Sequence, residues 1–180
     1  MLTTLVNDLL DLSRISQGKI VLERTAVSAA HVLEGALLAT RPMIDAARHT
    51  IQVELPDRSV EIDGDFRRLV QVFTNLLANA AKYTPPGGQI GIHTSISPTT
   101  VVVRVQDDGV GVSSDMLPRI FDMFVQSRDV RGRSQGGLGI GLNLVRRLVE
   151  LHGGTVFATS DGLGRGSTFV VELPRYSAMP

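Results

Sequence analysis

The sequence predicts an α/β (α+β) sandwich: a mixed, largely antiparallel sheet covered on one face by helices. Three observations carry this. Gln89 to Ser97 and Thr99 to Gln106 alternate apolar and polar residues about a Ser97-Pro98 turn, the pattern of a hairpin. The run RRLVQVFTNLLANAAKYT places Leu69, Val72, Phe73, Leu76, Leu77 and Ala80 on one helical face. A helix-like stretch from Gly139 to His152 then leads into alternating segments at Thr155 to Ser160 and Gly166 to Leu173.

Taken in order, residues 1–16 read MLTTLVNDLLDLSRIS, with Leu2, Leu5, Leu9 and Leu12 at the spacing of a helix seam, widened by Val6 and Leu10. So short a helix exposes much apolar surface alone and calls for a partner. A truncated dimerisation element fits, and a helix folded back onto the domain is the competing reading. After Gln17-Gly18, Lys19 to Glu23 reads as a strand. Ser28 is placed to cap a helix running to about Arg48, which Pro42 would kink or interrupt. Thr50 to Leu55 and Val60 to Ile62 suggest two short strands around a Pro-Asp turn. Asp65 opens the long helix ending near Tyr83, and Pro85-Pro86-Gly87-Gly88 stops it. A short helix near Ser114 to Phe121 precedes an Arg-, Gly- and Ser-rich stretch.

The totals narrow the function classes. A chain of 180 residues, 43% hydrophobic, buries a real core and suits one domain of about 150 residues with a short extra element. Lys plus Arg equals Asp plus Glu at 18 each, which gives no electrostatic reason for a nucleic-acid partner. Any phosphate binding is therefore local. The absence of cysteine excludes a disulfide framework, a thiolate metal site and a cysteine nucleophile. No apolar run approaches the roughly 20 residues needed to cross a bilayer, so a cytoplasmic location is expected for this stretch, with membrane anchoring of a parent protein left open.

The chemistry-bearing residues fall in three places. Opposite the apolar face of the long helix, Gln71, Asn75, Asn79 and Lys82 share a polar stripe. Asn is a poor helix former, about half a kcal/mol worse than Ala, so two at i and i+4 are unusual for a merely solvated face. An amide oxygen suits Mg²⁺, and an ammonium one turn on can meet a phosphate. From this helix alone, an ordinary polar face competes equally. In VQDDGVG, Asp107 ends an alternating strand, and Gly109 and Gly111 let the backbone turn sharply and approach a ligand. A carboxylate accepts hydrogen bonds only, so it could select the amino group of adenine over the oxygen of guanine. A plain turn is the alternative. GGLGIGLNLV opens a helix whose free amides and dipole suit a phosphate, but its spacing matches neither a dinucleotide fingerprint nor a P-loop. A glycine-rich hinge competes with that reading. Upstream, Arg128, Arg131 and Arg133 lie in a stretch too polar to pack, suited to a lid or to a loop without phosphate contact. Phe121 and Phe124 are expected to pin the base of that stretch to the core. His31, His49, His93 and His152 show no metal spacing.

Together and in this order, NLLANAAKYT, DDGVG, FDMF, GGLGIGL and GRGST resemble the N, G1, F, G2 and G3 boxes of the ATP-binding catalytic domains of sensor histidine kinases. Met123, in place of the usual Pro, and Asn143, in place of a common Ala, depart from the pattern. The resemblance covers residues 19–174. It implies the tail of a dimerisation and phosphotransfer hairpin at 1–17, an ATP-binding domain at 18–174 and a tail or linker at 175–180. By this resemblance Asn79 ligates Mg²⁺ with help from Asn75, Lys82 contacts phosphate, Tyr83 lies near the adenine, and Asp107 reads its amino group. Gly109, Gly111, Gly137, Gly139 and Gly141 shape the pocket and lid hinges, with Leu138 and Ile140 between the last three and Leu142 following. Thr168, or Ser167 in its place, completes the adenine end. Gyrase, heat-shock and mismatch-repair ATPases of this fold place a Glu at the position of Asn75. An amide cannot take a proton from water, so the resemblance implies ATP held for transfer to a histidine rather than hydrolysed. The implied partners are the histidine-bearing helices of the same parent kinase, a response regulator and a second copy through the N-terminal helix. An anti-sigma-factor serine kinase or a nucleotide-binding regulatory scaffold is the alternative.

Overall fold

A computed structural model describes residues 9–11, 13, 17, 20–125 and 139–176. In order the elements are β1 (Thr25–Ser28), α1 (Ala29–Ala46), β2 (Thr50–Val53), β3 (Glu61–Gly64), α2 (Phe66–Tyr83), β4 (Gln89–Ile96), β5 (Thr100–Asp107), a single 3-10 turn (Leu117–Arg119), α3 (Gly141–Leu151), β6 (Thr155–Thr159) and β7 (Ser167–Pro174). The main sheet runs β2-β4-β5-β7-β6, antiparallel except for the parallel β2–β4 pair. A second, two-stranded sheet joins β1 to β3. The three helices lie on one face of the main sheet, giving the predicted sandwich.

Period-two alternation decides what the main sheet offers the helices. Val101, Val103 and Val105 of β5 are buried, and their partners across β7, Leu173, Val171 and Phe169, are buried with them. Asp107 is the next residue of that inward row. α2 packs on this row through Leu69, Val72, Phe73, Leu76 and Leu77, all inaccessible or nearly so. Burying one such Leu contributes about 1.5–3 kcal/mol, so the core alone fixes the helix that carries the polar stripe. Asp65 caps α2 by accepting a hydrogen bond from the Arg68 amide at 3.2 Å.

The first third of the chain departs from expectation. Ile20 to Glu23 form no strand, and Val21 is 87% exposed; Lys19 lies outside the described residues. The strand is Thr25–Ser28, because only there does the chain meet a partner, with Val27 opposite the buried Ile62. Ser28 occupies the cap position of α1 but makes no side-chain cap bond; the Ala29 amide donates to the Val60 carbonyl instead. Pro42 stays inside α1 without ending it. The carbonyl it leaves unpaired belongs to Leu38, which is 78% exposed and so open to water. β2 and β3 flank the Pro56-Asp57 turn as expected but join different sheets. The helix expected over Ser114 to Phe121 contracts to the turn Leu117–Arg119.

Of the N-terminal seam only Leu9 falls among the described residues, with helical Leu10, Asp11 and Ser13 near it. Leu9 and Leu10 are exposed. Asp11 meets the opening of α2: the Arg68 guanidinium donates to it at 2.6 Å and the Gln71 amide at 3.0 Å. No helix among the described residues is long and apolar enough to cross a membrane.

Candidate nucleotide-binding site

At the Asp107 end of β5 the carboxylate is 5% exposed. One oxygen accepts from the Gly109 amide at 2.9 Å and the other from the Ser167 hydroxyl at 2.6 Å. Burial pushes its carboxyl above the ordinary carboxylate range, partly offset by these two hydrogen bonds. Register explains why Ser167, the alternative to Thr168, is the hydroxyl that meets Asp107. Asp107 pairs with Ser167 across β5–β7, and directly paired residues point to the same face. Thr168 pairs with Gln106 and so lies on the opposite face of the sheet. Asp108 is exposed and serves the hairpin instead, accepting from the Gln89 amide at 2.7 Å.

The loops around Asp107 require glycine for want of space. A Cβ on Gly109 would lie 2.4 Å from the Tyr83 carbonyl oxygen, and one on Gly166, where φ is +69°, would lie 2.0 Å from that of Asp107. These contacts tie the end of α2 to the end of β5, since the Val110 amide also donates to the Tyr83 carbonyl at 3.0 Å. Tyr83 therefore borders Asp107, and Lys82 Nζ stands 4.9 Å over the Tyr83 ring. Gly111, with φ +69°, turns the chain beneath Gly162.

Further up the same stripe, Asn75 meets α3. Its side chain lies 3.8 Å from where a Cβ of Gly141 would stand, and its Nδ2 is buried with no hydrogen-bond partner among the described residues. α3 begins at Gly141, so the amides of Gly141, Leu142 and Asn143 have no partner within the helix. The Asn75 carboxamide thus sits beside the opening of α3, with its Oδ1 toward Gly141. Asn79 follows one turn below Asn75 and is half-buried. Amide oxygens are hard donors that suit Mg²⁺, and the described residues contain no cluster of three or more His, Asp or Glu able to hold a metal alone. A cation held here would take its remaining ligands from phosphate and water. Gly139, at φ +69°, lies outside the helix, and Ile140 is a core residue while Leu142 packs half-buried against the core. Gly137, Leu138, Arg128, Arg131 and Arg133 lie outside the described residues.

The two F-box phenylalanines divide. Phe121 is buried, edge-on to Phe169 at 6.2 Å. Phe124 is 63% exposed with φ +63° and pins nothing to the core. The histidines are structural or at the surface: His31 is exposed, His93 pairs with Glu54 at 3.0 Å, and buried His49 bonds the Ala81 carbonyl at 3.0 Å. His152, wholly buried, donates from Nδ1 to the Leu148 carbonyl at 2.7 Å and accepts the Asp65 amide on Nε2 at 3.0 Å. Sequence reasoning missed this link between α3 and the cap of α2, because no local pattern announces a contact across 87 residues.

A two-layer α/β fold with a carboxylate at a strand end and an amide stripe beside an open helix start defines a nucleotide-binding class of domain. Residues 64–177 match the model of the histidine kinase-, DNA gyrase B- and HSP90-like ATPase family, and the chain belongs to that family. It is 36% identical over 173 residues to histidine protein kinase DivJ of Caulobacter vibrioides, covering 96% of this chain and 29% of DivJ. It is also 36% identical over 173 residues to the signal transduction histidine-protein kinase BaeS of Escherichia coli, covering 96% of this chain and 37% of BaeS. Full-length ShkA, solved in complex with AMPPNP, superposes with a TM-score of 0.84 at 30% identity over 99% of this chain and 37% of ShkA. The mycobacterial sensor histidine kinase MprB shares the fold, with a TM-score of 0.72 at 24% identity over 86% of this chain and 99% of that one. The chain thus spans well under half the length of these two curated kinases.

Proposed function

We propose that this chain binds Mg-ATP and passes its γ-phosphoryl group to a histidine on the phosphotransfer helices of its parent kinase, for onward transfer to a response regulator. The observation that carries the reading is the seam where Asn75, an amide and not a carboxylate, brings its Oδ1 within 3.8 Å of a Cβ position on Gly141 at the opening of α3, its buried Nδ2 having no partner among the described residues. A group that cannot take a proton leaves water unactivated beside the phosphate, which favours holding ATP over hydrolysing it. The names of the kinase relatives and the AMPPNP complex of ShkA support the same assignment.

In this reading Asp107, its geometry set by Ser167 and Gly109, accepts from the adenine amino group, with Tyr83 alongside. Lys82 offsets phosphate charge. Asn79 and Asn75 would hold Mg²⁺, which when bound neutralises charge on the phosphate oxygens. The attacking imidazole nitrogen forms a P–N bond while the bond between the γ-phosphorus and the β-bridging oxygen breaks, ADP leaving. In this reading the site lies on the cytoplasmic side, with any membrane anchor in the parent.

Transfer from γ-labelled ATP tests this, using the chain with Mg²⁺, a separately made acceptor hairpin, and Asn79→Ala as control. Label on the hairpin, lost in the control, is the expected result. Failure of calorimetry to detect Mg-ATP binding refutes the reading, and tight binding without transfer replaces it with a regulatory scaffold.

A further inference from the structure

Asn143, the third residue of α3, stands at a helix start yet is only 8% exposed. Its Nδ2 donates to the Phe121 carbonyl at 2.9 Å. The Phe121 ring is itself held on two sides, edge-on to Phe169 at 86° and under the Arg146 guanidinium at 5.1 Å. Phe169 pairs with Val105 in the same ladder, and on the same face, that pairs Ser167 with Asp107. A continuous set of contacts therefore runs from the Asp107 end through Phe169, Phe121 and Asn143 to the opening turn of α3, where Gly141 faces Asn75.

We propose that Asn143 is a positioning residue that sets the first-turn amides of α3 at the correct distance from Asn75 for the phosphate end of a nucleotide. The proposal rests on the nucleotide reading above. Direction is what distinguishes Asn143 from a packing residue. Core contacts with Leu144, Val145 and Leu148 hold α3 against the sheet without fixing direction, and the directional bond from the Asp65 amide to His152 Nε2 restrains it only at its far end. The Asn143 bond, made by the first turn to the carbonyl of Phe121, whose ring rests on Phe169 of β7, opposes sliding of α3 along its axis at the end where these amides lie. A shift of α3 by a fraction of an ångström alters contacts at its N-terminus while leaving Asp107, on β5, where it is.

The test compares Mg-ATP with AMP, which keeps the adenine and drops the β- and γ-phosphates, by titration calorimetry on the same chain. Asn143→Ala is expected to weaken Mg-ATP by several-fold, with about tenfold as the ceiling if the whole value of the lost bond goes into re-seating α3, and to change AMP binding less than about twofold. Asn143→Gln, which keeps an amide donor, is expected to recover part of the loss. If Asn143→Ala lowers the melting temperature but binds Mg-ATP like the unaltered chain, Asn143 only packs and the proposal falls. Equal loss for both nucleotides also overturns it. If Asn143→Ala does not fold, Asn143→Ser carries the same comparison, its hydroxyl too short to reach Phe121. Absence of Mg-ATP binding by the unaltered chain removes the nucleotide reading itself, a result distinct from failure of the variant alone.

Discussion

Replacing Asp107 by Asn separates what this carboxylate does for a ligand from what it does for the fold. Ionised Asp107 accepts two protein hydrogen bonds, from Gly109 at 2.9 Å and Ser167 at 2.6 Å, in a site 5% exposed. Asparagine can keep both partners: its oxygen accepts from the Gly109 amide, and the Ser167 hydroxyl turns to accept from its amino group. The fold then loses only the extra strength of charge-assisted bonds and is relieved of a desolvated charge, terms of opposite sign. Because burial outweighs the hydrogen bonds in pushing the carboxyl up, the ionised group costs the fold, and Asp107→Asn should melt no lower than the unaltered chain. An adenine amino group fares differently. It meets either a neutral amide oxygen in place of a charged acceptor or an amino group that repels it, at a cost of about 1.5–3 kcal/mol, or roughly 10- to 150-fold in Kd. Thermal melting and Mg-ATP calorimetry on Asp107→Asn should therefore move in different directions. Loss of stability together with unchanged ATP affinity would show that Asp107 is a structural residue and refute the adenine assignment. The pH dependence follows from the same shift. A carboxyl with a raised folded pKa takes up its proton in the folded state first, so ATP affinity should fall as pH drops toward and through that value. The folding cost of the buried charge is relieved over the same window, and Asp107→Asn should abolish both trends.

Two further outcomes follow from geometry. Gly166 and Gly164 both have positive φ, +69° and +74°, but a Cβ on Gly166 would stand 2.0 Å from a backbone oxygen while one on Gly164 meets nothing within 4 Å. Gly164→Ala should cost about 1 kcal/mol and Gly166→Ala at least about 3 kcal/mol in denaturant unfolding; equal effects would show that the Gly166–Asp107 approach is not as close as described. His152 is held below its ordinary value of 6.5, chiefly by burial, opposed first by its hydrogen bond to the Leu148 carbonyl, with Arg24 adding to the lowering and Asp65 and Asp63 opposing it. Its stabilisation is complete above the unfolded value and is lost as pH falls below 6.5 toward the folded one, since protonated Nε2 can no longer accept from the Asp65 amide. The urea midpoint should drop over that window, and His152→Gln, which offers an oxygen that does not titrate, should flatten the drop. A slope unchanged in His152→Gln would assign the titration elsewhere.

The sequence alone determined whatever local periodicity controls. The 3.6-residue period placed Leu69 through Ala80 inward and aligned Asn75, Asn79 and Lys82 on the other side, because a helix face is decided by spacing within the element. The two-residue period of β5 determined in the same way that Asp107 continues the inward row of valines. Tertiary structure decided whatever depends on a partner distant in sequence. The first strand is Thr25–Ser28 rather than Lys19 to Glu23, because Ile62 lies opposite Val27. Ser167 meets Asp107 in place of Thr168, because one residue of register exchanges the two faces of a strand. Phe124 turns outward while Phe121 finds Phe169, and Asn143 and His152 acquire roles through bonds to Phe121 and Asp65. Each of these is a directional contact between elements, and its geometry exists only after the apolar faces, which the sequence does specify, have packed.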